Sequence, residues 1–86
     1  MHELGIATGV LDSVVKVAKD SNALYVKKID VVVGKKVAII DEMFTEAFNA
    51  LKELEEYKLC KDATINTKII EGKDIYIDKI EVEQQD

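Results

Sequence analysis

The first three residues, Met1-His2-Glu3, hold the densest set of metal-binding nitrogens in the chain. A chain-terminal amine has a pKa of roughly 7.7–8.0, so a useful fraction is deprotonated at neutral pH. From that amine, the amide nitrogen of His2 closes a five-membered chelate ring, and the His2 imidazole closes a six-membered one. Three donors thus come from two residues, and the Glu3 amide or carboxylate supplies a fourth. A nitrogen-rich, near-planar set suits Ni(II) or Cu(II) better than zinc or magnesium. Deprotonated amides also offset the positive end of the helix that follows. Such a site strengthens as pH rises, because protons must leave for the metal to bind. Glu3 has a second reading as a favourable acid in a first helical turn.

Other chemistry is sparse. The chain lacks a phosphate-binding glycine loop, a G-x-S-x-G elbow and an H-E-x-x-H pair. His2 is the one histidine, and a chain terminus supports a rigid catalytic base poorly. Glu53, Glu55, Glu56 and Asp62 read as a solvated helix end rather than paired catalytic carboxylates. Cys60 reads first as a small buried hydrophobe. Its alternatives are a soft metal ligand or, with Lys58 and Lys61 beside it, a thiol of lowered pKa. No enzyme is expected.

Composition narrows the class further. At 86 residues there is room for one domain, residues 1–86, and for no large substrate cavity. Twelve lysines against 17 acidic residues give a net charge of −5, which argues against nucleic acid as a partner. No apolar run exceeds four residues, as in Val37–Ile40, which is too short for a membrane span or a signal peptide. One cysteine and one histidine cannot build a Cys/His zinc finger. The lone thiol suits a reducing, cytoplasmic location.

These candidate ligands need elements to hold them. Leu4, Ala7, Leu11, Val14 and Ala18 form the stripe of an amphipathic helix over 1–21, widened by Val10, Val15 and Val17. Asn22 is its left-handed cap. Gly5 and Gly9 lie inside it at a cost of about 1 kcal/mol each relative to Ala. A strand over 24–33 follows, with Tyr25, Ile29, Val31 and Val33 on one face and Lys27 out of step. Asp41 caps a second helix reaching about Glu56, with a stripe of Phe44, Ala47, Phe48, Leu51 and Leu54. Residues 63–70 alternate as a strand, Glu71–Asp74 turn, and 75–82 form a third strand. Its parity changes midway, which a bulge near Asp78-Lys79 reconciles. The expected fold is α+β: a two-layer α-β-α-β-β domain with a three-stranded mixed sheet covered on one face by two helices. The last two strands, joined by a short turn, are expected to be antiparallel neighbours. The sheet's two free edges leave a homodimer open.

Over nearly its whole length the chain resembles the hydrogenase-maturation nickel chaperones of the HypA/HybF family. The resemblance rests on Met1-His2-Glu3-Leu4, on Val31–Gly34, on the segment leading into Phe44-Thr45-Glu46-Ala47-Phe48, on Cys60–Ala63, and on the closing run Gly72–Glu83. It implies a protein that carries Ni(II) for assembly of [NiFe]-hydrogenase, or of urease, on Met1, His2 and Glu3. It also implies a maturation GTPase and the hydrogenase large subunit as partners. Two departures stand out. The family's zinc domain, with its two C-x-x-C pairs, is expected to be absent between Ile70 and Ile75, so no zinc is expected. Two acids that the family tends to carry are displaced. One position is Lys35, and the other falls on Ile40, leaving Asp41 as the neighbouring candidate ligand.

Overall fold

The computed structural model describes residues 2–85, with only the backbone for His2. Its elements are α1 (His2–Asp20), β1 (Ala23–Gly34), α2 (Asp41–Leu51), β2 (Thr64–Ile70) and β3 (Ile75–Gln84). Short 3-10 turns at Lys35–Val37 and Glu55–Cys60 bracket α2. The expected two-layer α+β class holds. The helices share one face of the sheet, α1 over β1 and β3, and α2 beside it towards β2.

α1 buries the stripe expected of it: Ala7, Leu11, Val14 and Ala18 are completely shielded. Leu4 and Val17 are not part of the core and stand about half exposed, one in the first turn and one on the flank. Asn22 ends the helix in the left-handed region, φ 56°, with its N–H donating to the Lys19 carbonyl. Across the sheet the core is completed by Val26, Ile29, Val31 and Val33 of β1 and by Phe44 and Phe48 of α2. Two irregularities in the pairing of β1 with β3, at Leu24 and at Lys27, shift the phase of the strand. Burial therefore steps Ala23, Val26, Ile29, and Tyr25, expected on the inner face, is exposed. The bulge in β3 falls where the parity change put it. Asp30 pairs with Lys79 and Val31 with Ile77, leaving Asp78 as the extra residue. Ile75, Ile77, Ile80 and Val82 thereby all face the helices and pack on the core.

Two expectations fail. α2 stops at Leu51, five residues short of Glu56. The acid-rich stretch after it turns into a 3-10 segment that buries Tyr57 and Cys60 and leaves Leu54 exposed. β2 and β3 are not neighbours either, because the strand order is β2-β1-β3. β1 is the longest and most apolar strand, and it gains most by being paired on both sides: parallel to β2 and antiparallel to β3.

The four residues Glu71–Asp74 must therefore carry the chain over the end of β1, about two strand spacings or 10 Å. The crossing is close. Gly34 donates its N–H to the Asp74 carbonyl at 2.7 Å, and Lys36 donates to the Gly72 carbonyl at 2.9 Å. A Cβ on Gly34 would lie 2.6 Å from the carbonyl carbon and oxygen of Gly72. Gly34 has an ordinary φ of −74°, so its glycine is required by space and not by torsion. Gly34→Ala should lower stability by about 1–3 kcal/mol, read from the urea midpoint at an unchanged m value.

Candidate metal site

The site is built around the start of α1 and the start of α2. α1 runs towards its cap at Asn22, and β1 returns alongside it, so the segment after β1 comes back to the end where α1 begins. That segment ends at Ala38, in the left-handed region at φ 61°, which turns the chain towards α2. Ile40 is the residue that caps α2, and it has no side chain able to bond the helix's free N–H groups. The cap residue's own N–H is a separate donor, and in a capping box a Glu or Gln at the third helical position accepts it. Here that position is Met43, which cannot accept a hydrogen bond.

Glu3 supplies the missing acceptor from 37 residues upstream. Its Oε2 accepts the Ile40 backbone N–H at 3.0 Å. Glu3 is only 7% exposed, and a buried carboxylate is tolerated only when hydrogen-bonded or paired. Two helix starts provide for it: Glu3 lies in the first turn of α1 and bonds the cap residue of α2, so both positive helix ends face it. The expectation of a first-turn acid is met. The sequence had no signal for the partner, since Ile40 contributes only its backbone.

Asp41 does not cap α2 with its side chain. It occupies the first helical position, and its Oδ1 accepts the Thr67 hydroxyl of β2. This ties the start of α2 to the sheet. Thr67 shares the inward parity of Ile65, so its reach towards α2 is consistent with the strand's alternation. Met1 and the side chain of His2 lie outside the described residues, so of the candidate donors only Glu3 and Asp41 have placed side chains. Both are engaged at the start of α2. Among the described residues no three His, Cys, Asp or Glu side chains converge on one point. A chelate drawing mainly on backbone nitrogens has no need of such convergence.

At the opposite end, the 3-10 turn after α2 is pinned to α1. The Tyr57 hydroxyl donates to Asp12 Oδ1 at 2.6 Å. That bond to a carboxylate, reinforced by burial, pushes the Tyr57 pKa up to about 12. Cys60 is completely buried, and burial pushes its thiol up to about 11 against the pull of the Lys52 charge. It is a core thiol with no exposed face and no lowered pKa, the first of its readings. Lys52 instead donates to the Ala63 carbonyl at 2.9 Å, closing the link into β2.

The fold and the terminus define a class: a two-layer α+β domain whose first helix carries a buried acid beside the chain start. Comparison with known proteins makes this specific. Residues 1–67 match the family described as "Hydrogenase/urease nickel incorporation, metallochaperone, hypA". The Hydrogenase maturation factor HypA of Methanococcus vannielii is 35% identical over 78 residues, covering 85% of this chain and 60% of that protein. The chain thus spans about 60% of the length of that relative. Among solved structures, the solution structure of the Ni metallochaperone HypA from Helicobacter pylori has the same fold. It has a TM-score of 0.78 at 18% identity, and the match covers 99% of this chain and 100% of that one. A second solution structure of a HypA protein gives a TM-score of 0.75 at 18% identity, covering 95% and 96%. The chain belongs to the HypA family.

Two outcomes follow from this geometry. Glu3→Ala should cost about 1.5–3 kcal/mol, the usual loss for a hydrogen bond to a charged group. Glu3→Gln keeps an acceptor for Ile40 and should cost clearly less in the same urea titration. Separately, the folded-state pKa values of Cys60 and Tyr57 lie above their ordinary 9.0 and 10.0. Their contribution is therefore complete below about pH 9 and is lost as pH rises towards 11 and 12. Unfolding midpoints measured across that range should fall, and less steeply in Tyr57→Phe.

Proposed function

We propose that this chain binds Ni(II) at its N-terminus and carries it for the maturation of [NiFe]-hydrogenase, or of urease. The Met1 amine, the His2 amide and the His2 imidazole are the primary donors. The Glu3 amide completes the plane, while the Glu3 carboxylate stays with Ile40 and fixes where the chelate begins. Asp41, held by Thr67, is at most an outer acceptor. The task is delivery of a metal ion rather than bond-making, so the chain is not an enzyme. Its place of work is the cytoplasm, with a maturation GTPase and the hydrogenase large subunit as partners.

The observation that carries this reading is the family match beginning at residue 1, together with the buried Glu3 that anchors the residue next to the chelate. The chelate chemistry supports it independently, since nickel favours nitrogen donors in a plane. No helix among the described residues is long and apolar enough to cross a membrane.

A second reading has its own observation. β2 passes to β3 through only Glu71–Asp74, where the family carries its zinc domain. We read that domain as absent, leaving no zinc site. A chain without it serves, on this second reading, as a HypA-like interaction or regulatory module that no longer delivers metal.

Calorimetric titration of Ni(II) into tag-free protein at about pH 7.5 separates the two. One-site binding at about micromolar Kd or tighter, abolished in His2→Ala, is expected. Affinity should rise steeply with pH. One added residue before Met1 should abolish tight binding, because it removes the free amine from its place beside His2. No binding, or binding indifferent to His2, would favour the interaction module, and tight binding by the extended chain would contradict the terminal chelate.

A further inference from the structure

The segment between β1 and α2 is held from outside near both its ends. Close to its start, Lys36 donates its backbone N–H to the Gly72 carbonyl, in the link from β2 to β3, at 2.9 Å. At its finish, Asp41 opens α2 and accepts the Thr67 hydroxyl of β2. Ile40 stands one residue before Asp41, and its N–H donates to Glu3 at 3.0 Å. Neighbouring residues thus bond different elements, Asp41 the sheet and Ile40 the first turn of α1. One step along the backbone separates the bond made by Thr67 from the bond that fixes Glu3.

We propose that Thr67 is a positioning residue for nickel, acting through Asp41 and Ile40 on Glu3; this rests on the reading of the terminus as a nickel site. In that site the Glu3 amide completes the donor plane. The first four N–H groups of a helix have no acceptor in their own helix, and Glu3 stands in the first turn of α1. Its amide can therefore give up a proton to the metal without breaking the helix's own ladder. What the donor needs is a fixed place. The Glu3 carboxylate takes that place from the Ile40 N–H, and Ile40 takes its own from the bond between Asp41 and Thr67.

The anchor suits this work. A hydroxyl donating to a carboxylate is one of the stronger hydrogen bonds. Thr67 is half-buried and pairs with Val31 of the central strand, so it belongs to the sheet rather than to a loop. Groups that orient a metal's ligands without touching the metal typically cost tenfold to a hundredfold in affinity when removed. Thr67 acts at the outer end of such a chain, so the lower figure, about tenfold, applies. The sign separates this role from direct ligation by Asp41. If Asp41 reached for the metal itself, freeing it from Thr67 would tighten binding. If Asp41 is the link to Ile40, freeing it loosens binding.

Calorimetric Ni(II) titration of the tag-free parent, Thr67→Val, Thr67→Ser and Tyr57→Phe tests this. Val has the shape of Thr and suits a strand, so Thr67→Val removes the hydroxyl and little else. It should bind nickel about tenfold more weakly than the parent, and Thr67→Ser, which keeps the hydroxyl, should bind like the parent. Tyr57→Phe removes another hydroxyl-to-carboxylate bond, at the far end of the domain, and should leave nickel affinity unchanged. Adding Thr67→Val to Asp41→Ala should weaken binding no further, since both remove the same bond. In nickel-free protein the Ile40 amide resonance should move in Thr67→Val and stay in place in Tyr57→Phe. Equal or tighter binding by Thr67→Val would overturn the role of Thr67 and leave the nickel reading standing. So would a loss that Thr67→Ser does not recover. A parent that takes up no nickel would overturn the nickel reading, and this proposal with it.

Discussion

A carboxylate taken out of water has to be answered, and in this fold the answer to Glu3 is the backbone N–H of Ile40. One hydrogen bond meets two needs that neither helix meets alone. The Ile40 N–H at the cap of α2 has no acceptor from its own helix, and α1 begins with an acid buried against the domain. The pairing locks the start of α1 against the start of α2. It fixes the first turn of the chain relative to everything that follows β1.

The rest of the architecture brings Ile40 to that place. β1 is paired on both sides, so its end lies at the middle of the sheet rather than at its margin. The link from β2 to β3 has to cross that end, and it can do so only because Gly34 has no side chain. The same crossing holds Lys36 through the Gly72 carbonyl. Ala38 then takes a left-handed turn, and Asp41 is drawn to Thr67 on β2. Constraints at one end of the domain thus converge on three or four residues around Ile40. At the other end the Tyr57–Asp12 bond and the buried Cys60 close the core without any reactive group.

Much of this was legible in the residues. The stripe Ala7, Leu11, Val14 and Ala18, the cap at Asn22 and the bulge at Asp78 all follow from periodicity and local chemistry, which are properties of short windows. Strand order is not such a property. The short link Glu71–Asp74 reads as a hairpin, and only the competition for β1 as a partner makes it a crossing. Tyr25 is exposed, against the strand's alternation, because two pairing irregularities at Leu24 and Lys27 change the strand's phase, and no residue type announces them. The same holds for the site. Glu3 was recognisable as a first-turn acid, but its partner is a backbone group 37 residues away. Asp41 was recognisable as an acid at a helix start, whereas its choice of Thr67 over the helix depends on where β2 lies.

If nickel is held by the terminal amine and the first amides, then Glu3 is where the chelate and the domain share a residue. Metal capture should be felt at Ile40, through the carboxylate that bonds it, before it is felt anywhere else in the folded chain. The most direct measurement is a ¹H–¹⁵N spectrum of tag-free protein recorded during addition of Ni(II). The Ile40 amide should shift or broaden up to one equivalent, together with the first turn of α1, while Asn22 and Lys61 at the far end stay in place. An Ile40 resonance that ignores nickel, or changes spread evenly over the chain, would contradict the coupling of terminus to fold through Glu3.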